Sequence, residues 1–295
     1  MKRVRLSKTS LYHYYKLIGR VILLIAATVL YVIRRVRGDG HPFRFLTRLP
    51  WLSFALVLLF SVGILLRFFP SSLESMGCQK QFSRNYRPTG EAPEAAERRI
   101  RLGTRRTTLL VAVVWWLLNA PLAILYYTGV IDAGILLLVA LFYAVSDMIC
   151  ILFFCPFQTW FMKNKCCGSC RIYNWDYAMM FTPLAFIPNV FALSLFGLAL
   201  LLLIVWEVAL WRHPERFSAA TNASLRCANC REKLCHHKRQ LNSFLKKNAE
   251  RLRTSERLVL LRRRAERLLG RVRGKEASCE GKPEDPQSPE EPKNE

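Results

Sequence analysis

The sequence is short of acid. It carries 21 Asp and Glu against 44 Lys and Arg, for a formal net charge of +23 over 295 residues. It has no glycine-rich phosphate loop, no nucleophile elbow and no zinc-protease helix motif, so no motif names a reaction. Its apolar runs do not alternate with period two, which excludes a membrane β-barrel. Its spans show no obvious internal repeat, which counts against the repeat-built transporter folds. What the sequence does have is apolar surface: 52% of its residues are hydrophobic. A soluble domain rarely joins that fraction to such a charge. A bilayer protein does so easily, by keeping apolar runs and basic loops apart along the chain.

The apolar residues gather in five stretches: Leu17–Ile33, Pro50–Phe69, Thr108–Thr128, Val130–Phe154 and Ala178–Trp211. A helix needs about 20 apolar residues at ~1.5 Å each to cross the hydrocarbon. The first stretch is marginal, but Arg20 can snorkel and extend it. It does not read as a cleaved leader, because Arg34 and Arg35 follow where small residues would be needed. Lipid offers no hydrogen-bond partners, so each run must be helical. The fold class is therefore all-α: a polytopic helical membrane protein with about five transmembrane helices, the last of them open to a preceding re-entrant segment.

Residues 1–16 hold Lys2, Arg3, Arg5, Lys8 and Lys16 and no acid, which places the N-terminus in the cytoplasm. The loop after the first stretch, with Arg34, Arg35, Arg37, Arg44 and Arg48, runs against that rule. Residues 70–107 carry Arg98, Arg99, Arg101, Arg105 and Arg106 just before the third stretch and read as cytoplasmic. The third and fourth stretches form a hairpin turning near Gly129, which leaves the loop 155–177 on the cytoplasmic side of the 17–211 membrane domain.

From Arg212 to Arg273 there are eighteen Lys or Arg against five Glu. Leu234, Leu241, Leu245, Leu252 and Val259 recur at helical spacing, so 212–273 reads as a basic Cys/His-containing helical region. It suits a solvated or coiled-coil arm meeting a protein partner, or a helix lying on anionic lipid. Nucleic acid ranks well below both. Residues 274–295, rich in Pro, Glu and Lys, lack the apolar content to fold.

Ten cysteines are present. One window reads Cys155-Pro-Phe-Gln and then Cys166-Cys167-Gly-Ser-Cys170. The other reads Cys227-Ala-Asn-Cys230 and then Cys235-His236-His237. Cysteines two residues apart can aim both sulfurs at one ion, and two such pairs make a tetrahedral thiolate site. Cys167 with Cys170 and Cys227 with Cys230 are such pairs. Cys155, Cys166, Cys235, His236 and His237 are further ligands, enough for a second zinc ion or an iron–sulfur cluster. A reducing cytoplasm favours metal or redox chemistry over structural disulfides. Thiol–disulfide exchange and lipidation of a juxtamembrane cysteine such as Cys155 remain alternatives. Cys78, Cys150 and Cys279 stand apart and read as ordinary.

The two windows flank the fifth stretch. A single crossing would leave them ~30 Å apart on opposite faces. The stretch has 34 residues, too few for two ordinary helices of about 20 residues and a turn. Pro183 and Pro188 permit a broken, re-entrant limb followed by a return on the same side. Asn189–Trp211 alone would also make one complete span. Both readings stand at this point.

Asp147 lies within the fourth stretch, where a carboxylate pairs with a cation, relays a proton or faces a substrate path, as in a transporter. Asn119 before Pro121 suggests a kink. Trp175 and Tyr177 suit an interfacial aromatic belt, Asp176 a helix N-cap, and Glu207 an interfacial position. Asn222-Ala-Ser224 matches a glycosylation pattern, a short and weak signal.

The run from Cys155-Pro-Phe-Gln through Cys166-Cys167, Cys170 and Asn174-Trp175-Asp176 to His213-Pro-Glu-Arg-Phe217, with Cys227, Cys230 and Cys235 beyond, resembles bacterial multi-spanning membrane proteins of no assigned activity. The resemblance implies a bacterial inner-membrane setting and no particular reaction.

Overall fold

The computed structural model describes residues 8–37, 50–70, 76–90, 105–163 and 170–229, with a few single positions besides. The chain divides into two units, Met1–Gln240 and Leu241–Glu295. The architecture below belongs to the first. The periodic basic segment from Leu234 and the acidic tail lie outside the described residues.

Regular structure among the described residues is helical. The principal helices are α1 (Lys8–Val36), α2 (Pro50–Leu65), α3 (Met76–Gln81), α4 (Arg105–Tyr127), α5 (Ala133–Leu152), α6 (Asp176–Phe181) and α7 (Val190–Arg212). Four of them, α1, α4, α5 and α7, are long and apolar enough to cross a bilayer. The second apolar stretch forms the 16-residue α2, about 24 Å long at helical rise. Beyond it, Leu66–Phe68 tighten into a turn.

Helix α1 shows what solvent these helices meet. Its buried positions are Ser10, His13, Arg20 and Ala27, spaced three and seven apart on one face. Its exposed positions include Ile18, Ile22, Ile25 and Val29. A helix in water would do the reverse. Burying the polar stripe and exposing the aliphatic one is favourable only where hydrocarbon surrounds the bundle.

Helix α1 packs antiparallel along α5. At one end, Tyr14 meets Phe153 edge to face at 6.2 Å. At the other, the Tyr31 hydroxyl donates to Asp132 at 3.2 Å. Asp132 also caps α5, accepting from the Ile135 amide at 3.0 Å. The turn joining α4 to α5 bends at Gly129, whose φ of +76° belongs to the left-handed region that glycine enters without strain.

The 34-residue stretch does not form one helix. Helix α6 passes into a 3-10 turn over Thr182–Phe186, the backbone extends at Ile187, and Asn189 caps the new helix α7 by accepting from the Phe191 amide at 2.8 Å. Pro183 starts the 3-10 turn and Pro188 ends it, as their missing N–H groups dictate. This broken limb is at the core of the first unit. Tyr177, Met180, Phe181 and Leu184 are buried with Ala140, Ala144, Leu195, Ala199 and Leu202 in one cluster. Small side chains at Ala140, Ala144 and Ala199 let neighbouring backbones come close, the usual device where apolar burial no longer drives helix association. Tyr177, which the sequence suggests for an interfacial belt, is instead a core residue at 2% exposure.

Candidate functional site

Whether the cysteine windows can meet depends on how the limb and α7 run. Arg171, next to Cys170, pairs with Glu207 near the far end of α7 at 2.6 Å, and the Trp175 indole donates to Glu207 at 2.7 Å. At the other end of the limb, the Tyr127 hydroxyl at the close of α4 reaches the Phe186 carbonyl at 3.5 Å. The chain therefore runs from Cys170 along the limb to the α4–α5 turn and comes back along α7. From Asn189 to Glu207 the return covers about 27 Å at helical rise. Cys170 and the end of α7 lie at the same end of the bundle.

The chain beyond α7 stays there. Residues 213–229 include three short 3-10 turns; the helical periodicity of the basic region begins at Leu234, outside the described residues. The turns pack against residues 79–90. Asn222, fully buried, donates to the Lys80 carbonyl at 3.0 Å and the Arg216 carbonyl at 2.8 Å. Its oxygen accepts from Ser224 N at 3.0 Å. The Ala223 amide donates to the Arg87 carbonyl at 2.8 Å, and Ser224 Oγ to the Asn85 carbonyl at 2.7 Å. Thr89 Oγ1 donates to the Ala220 carbonyl. An asparagine this committed is a structural clasp and offers no amide to a glycan.

One short helix holds residues that flank both windows. Next to Lys80, Gln81 Oε1 accepts from Asn174 Nδ2 at 2.9 Å, in a buried contact. Asn174 follows Cys170 by four residues, and Asn222 precedes Cys227 by five. Adjacent residues of α3 thus hold Asn174, just after the first window, and Asn222, just before the second. Trp206 of α7 completes the junction, meeting Phe82 at 5.1 Å and Phe217 at 6.1 Å, both edge to face.

Of the nine candidate ligands, three are described. Cys155 is half-buried, and its sulfur accepts from the Gln158 amide at 3.4 Å. Cys170 is 3% exposed and clusters with Val111 and Ile172 beneath Phe157, Phe161 and Trp175. Cys227 is exposed. Cys166, Cys167, Cys230, Cys235, His236 and His237 lie outside the described residues. Among the described residues, no three His, Cys, Asp or Glu side chains form a group able to hold a metal ion.

The same region holds four buried charges. Arg20 Nη1 donates to Asp147 at 2.9 Å and to the Ala144 carbonyl at 2.6 Å. Arg67 faces Asp176 through both terminal nitrogens, Nη1 donating at 2.7 Å and Nη2 pairing at 2.5 Å. The Tyr177 and Tyr173 rings flank the Arg67 guanidinium at 4.7 and 5.5 Å. Asp176 is therefore not the N-cap of α6 that the sequence suggests. Its carboxylate accepts from the Tyr177 amide at 2.8 Å inside the first turn and otherwise serves Arg67. The sequence singles out Asp147 but gives no sign of Arg67 or Asp176 as its neighbours. Two arginines and two aspartates sum to zero, so each buried charge is compensated, as a low-dielectric site requires.

No family model matches this chain, and neither a curated protein nor a solved structure matches it.

Proposed function

We propose that this chain is an integral membrane protein that crosses the bilayer six times and carries one cysteine-rich metal centre at its basic, cytoplasmic face. The crossings are α1, α2, α4, α5, the broken limb and α7. Buried side chains surround the limb, so its irregular backbone is covered by protein as membrane depth requires. An even number of crossings returns the chain to the side on which it began. The face holding the flanks of the cysteine windows carries Arg84, Arg87, Arg105, Arg171, Arg212, Arg216 and Arg226, against Arg34, Arg35 and Arg37 where α1 closes at the other end; the connections 128–132 and 187–189 there hold no basic residue. The positive-inside rule then favours a cytoplasmic site in the plasma (inner) membrane.

The observation that carries this reading is the clasp of α3, in which Lys80 takes Asn222 and Gln81 takes Asn174. It brings the flanks of both windows to one short helix. Cys166, Cys167 and Cys170 then join Cys227, Cys230 and Cys235, with Cys155, His236 and His237 at hand. Four thiolates on zinc carry a net double negative charge, and the surrounding arginines stabilise both the thiolates and the complex. Zinc would make the centre a rigid clamp on the cytoplasmic face. An iron–sulfur cluster would make it an electron carrier beside the membrane. The basic segment beyond it lies on anionic lipid or meets a protein partner.

Elemental analysis of protein purified without oxygen or chelators tests the reading. The expected result is stoichiometric zinc, or iron with acid-labile sulfide and visible thiolate–iron absorption. Protein free of both metals, with thiols that cycle to a disulfide, would replace the metal centre with thiol exchange.

A further inference from the structure

Three buried polar atoms at the clasp end of the bundle have no partner among the described residues. They are Asn174 Oδ1, Trp206 Nε1 and Arg171 Nε. Asn174 and Trp206 are 5% and 6% exposed, so bulk solvent does not serve them. Buried polar groups are nearly always hydrogen-bonded, and three orphans at one junction call for a common answer.

The three belong to one closed ring of contacts. Arg171 and Asn174 stand three apart in the 3-10 turn Arg171–Trp175, a spacing at which side chains eclipse. Asn174 Nδ2 donates to Gln81 Oε1 at 2.9 Å. The next residue, Phe82, meets the Trp206 ring at 5.1 Å. Trp206 precedes Glu207 on α7, and Glu207 accepts from Arg171 Nη2 at 2.6 Å, which closes the ring. The direct bonds use the other polar atoms of Asn174 and Arg171 and leave one orphan at each of three corners.

Their chemistry defines the guest. An indole N–H and a guanidinium N–H only donate, and an amide oxygen only accepts. The guest must accept twice and donate at least once. Its charge is also constrained. Glu207 already offsets Arg171, so an anion would add an uncompensated charge beside a carboxylate, and a cation would face two donors. Water meets every condition, and buried waters typically make about three such bonds.

We propose that Arg171, Asn174 and Trp206 form a binding site for one ordered water molecule. It accepts from Trp206 Nε1 and Arg171 Nε and donates to Asn174 Oδ1. The water ties α7 to the turn that α3 holds through Gln81, and it does so whether or not the cysteines bind metal. The test uses the full-length protein in detergent with 15N-labelled tryptophan. The Trp206 indole signal is assigned by its loss in Trp206→Phe. The expected result is cross-relaxation between that N–H and water, with the sign of a long-lived bound molecule, and no change of its shift on adding chloride or sulfate. Lack of that cross-relaxation would overturn the site, and a shift that saturates with either salt would replace the water with an anion. A structure of the unmutated protein fine enough to show ordered waters gives a second reading. Density within hydrogen-bond distance of all three atoms is expected. Density reaching only one of them, or none, would overturn the shared site.

Discussion

Arg171 and Glu207 are 36 residues apart in sequence and form an ion pair at 2.6 Å. Between them the chain travels out along a broken limb and back along a full helix. That single pairing makes the stretch a hairpin, which neither its length nor its hydropathy would allow as two regular helices. Substituting Glu207→Gln keeps the indole hydrogen bond from Trp175 but removes the charge facing Arg171. The pair is only partly buried, so a cost of about 1 kcal/mol or less is expected in denaturant unfolding. Glu207→Ala also strands the Trp175 donor, and its cost should be larger, about 1–3 kcal/mol.

The pair Arg20–Asp147 is far less exposed, at 8% and 12% of side-chain surface. Removing one partner leaves an uncompensated buried charge. Asp147→Ala or Arg20→Ala should each destabilise by about 3–5 kcal/mol, whereas an apolar pair such as Arg20→Met with Asp147→Leu should recover most of that loss. Unfolding in detergent with all four proteins measures it. A role for Asp147 in carrying protons or substrate would instead leave the apolar pair stable but inactive.

Gly63 lies against the Tyr177 hydroxyl. A Cβ built there would stand 2.8 Å from the phenol oxygen. Tyr177 also covers Arg67, so the ring has little room to withdraw. Gly63→Ala should cost about 1–3 kcal/mol, the range for overpacked cores. Adding Tyr177→Phe, which deletes the clashing oxygen, should restore stability toward that of Tyr177→Phe alone. A double-mutant cycle with no coupling would contradict this contact.

Asn222 holds the turns after α7 to residues 79–90. Asn222→Ala strands two carbonyls and exposes a buried junction, at about 1–3 kcal/mol. Limited proteolysis of the folded protein should then cut within 213–229, where the parent resists. At the proposed metal centre, the same variant should bind zinc more weakly, because the segment bearing Cys227 is no longer fixed.

Much of the bundle was legible from sequence. The hairpin of α4 and α5, the start of α7 at Asn189 and the break between Pro183 and Pro188 all follow from apolar runs, caps and prolines. The direction of the limb was not, because it depends on which residues cover it. Tyr177, Met180 and Leu184 look no different from lipid-facing residues until Ala140, Ala144 and Ala199 are seen beside them. The polar stripe of α1 was readable in the spacing of Ser10, His13 and Arg20, a signal hidden by the greater number of aliphatic residues around it. The second half of the charge quartet, Arg67 with Asp176, joins positions 109 apart and leaves no local trace. For the proposed cysteine centre, spacing suggests the ligand types, and the α3 clasp of Asn174 and Asn222 is what supports a common location.

The sidedness of the two windows tests the central claim most directly. Two single-cysteine proteins, one retaining only Cys167 and one only Cys227, would be labelled with a membrane-impermeant thiol reagent in sealed vesicles of known orientation. The account predicts that both react from the cytoplasmic side and that neither reacts from the opposite side. Labelling of the two from opposite sides would mean that Ala178–Trp211 crosses the membrane once, and that the windows do not form one centre.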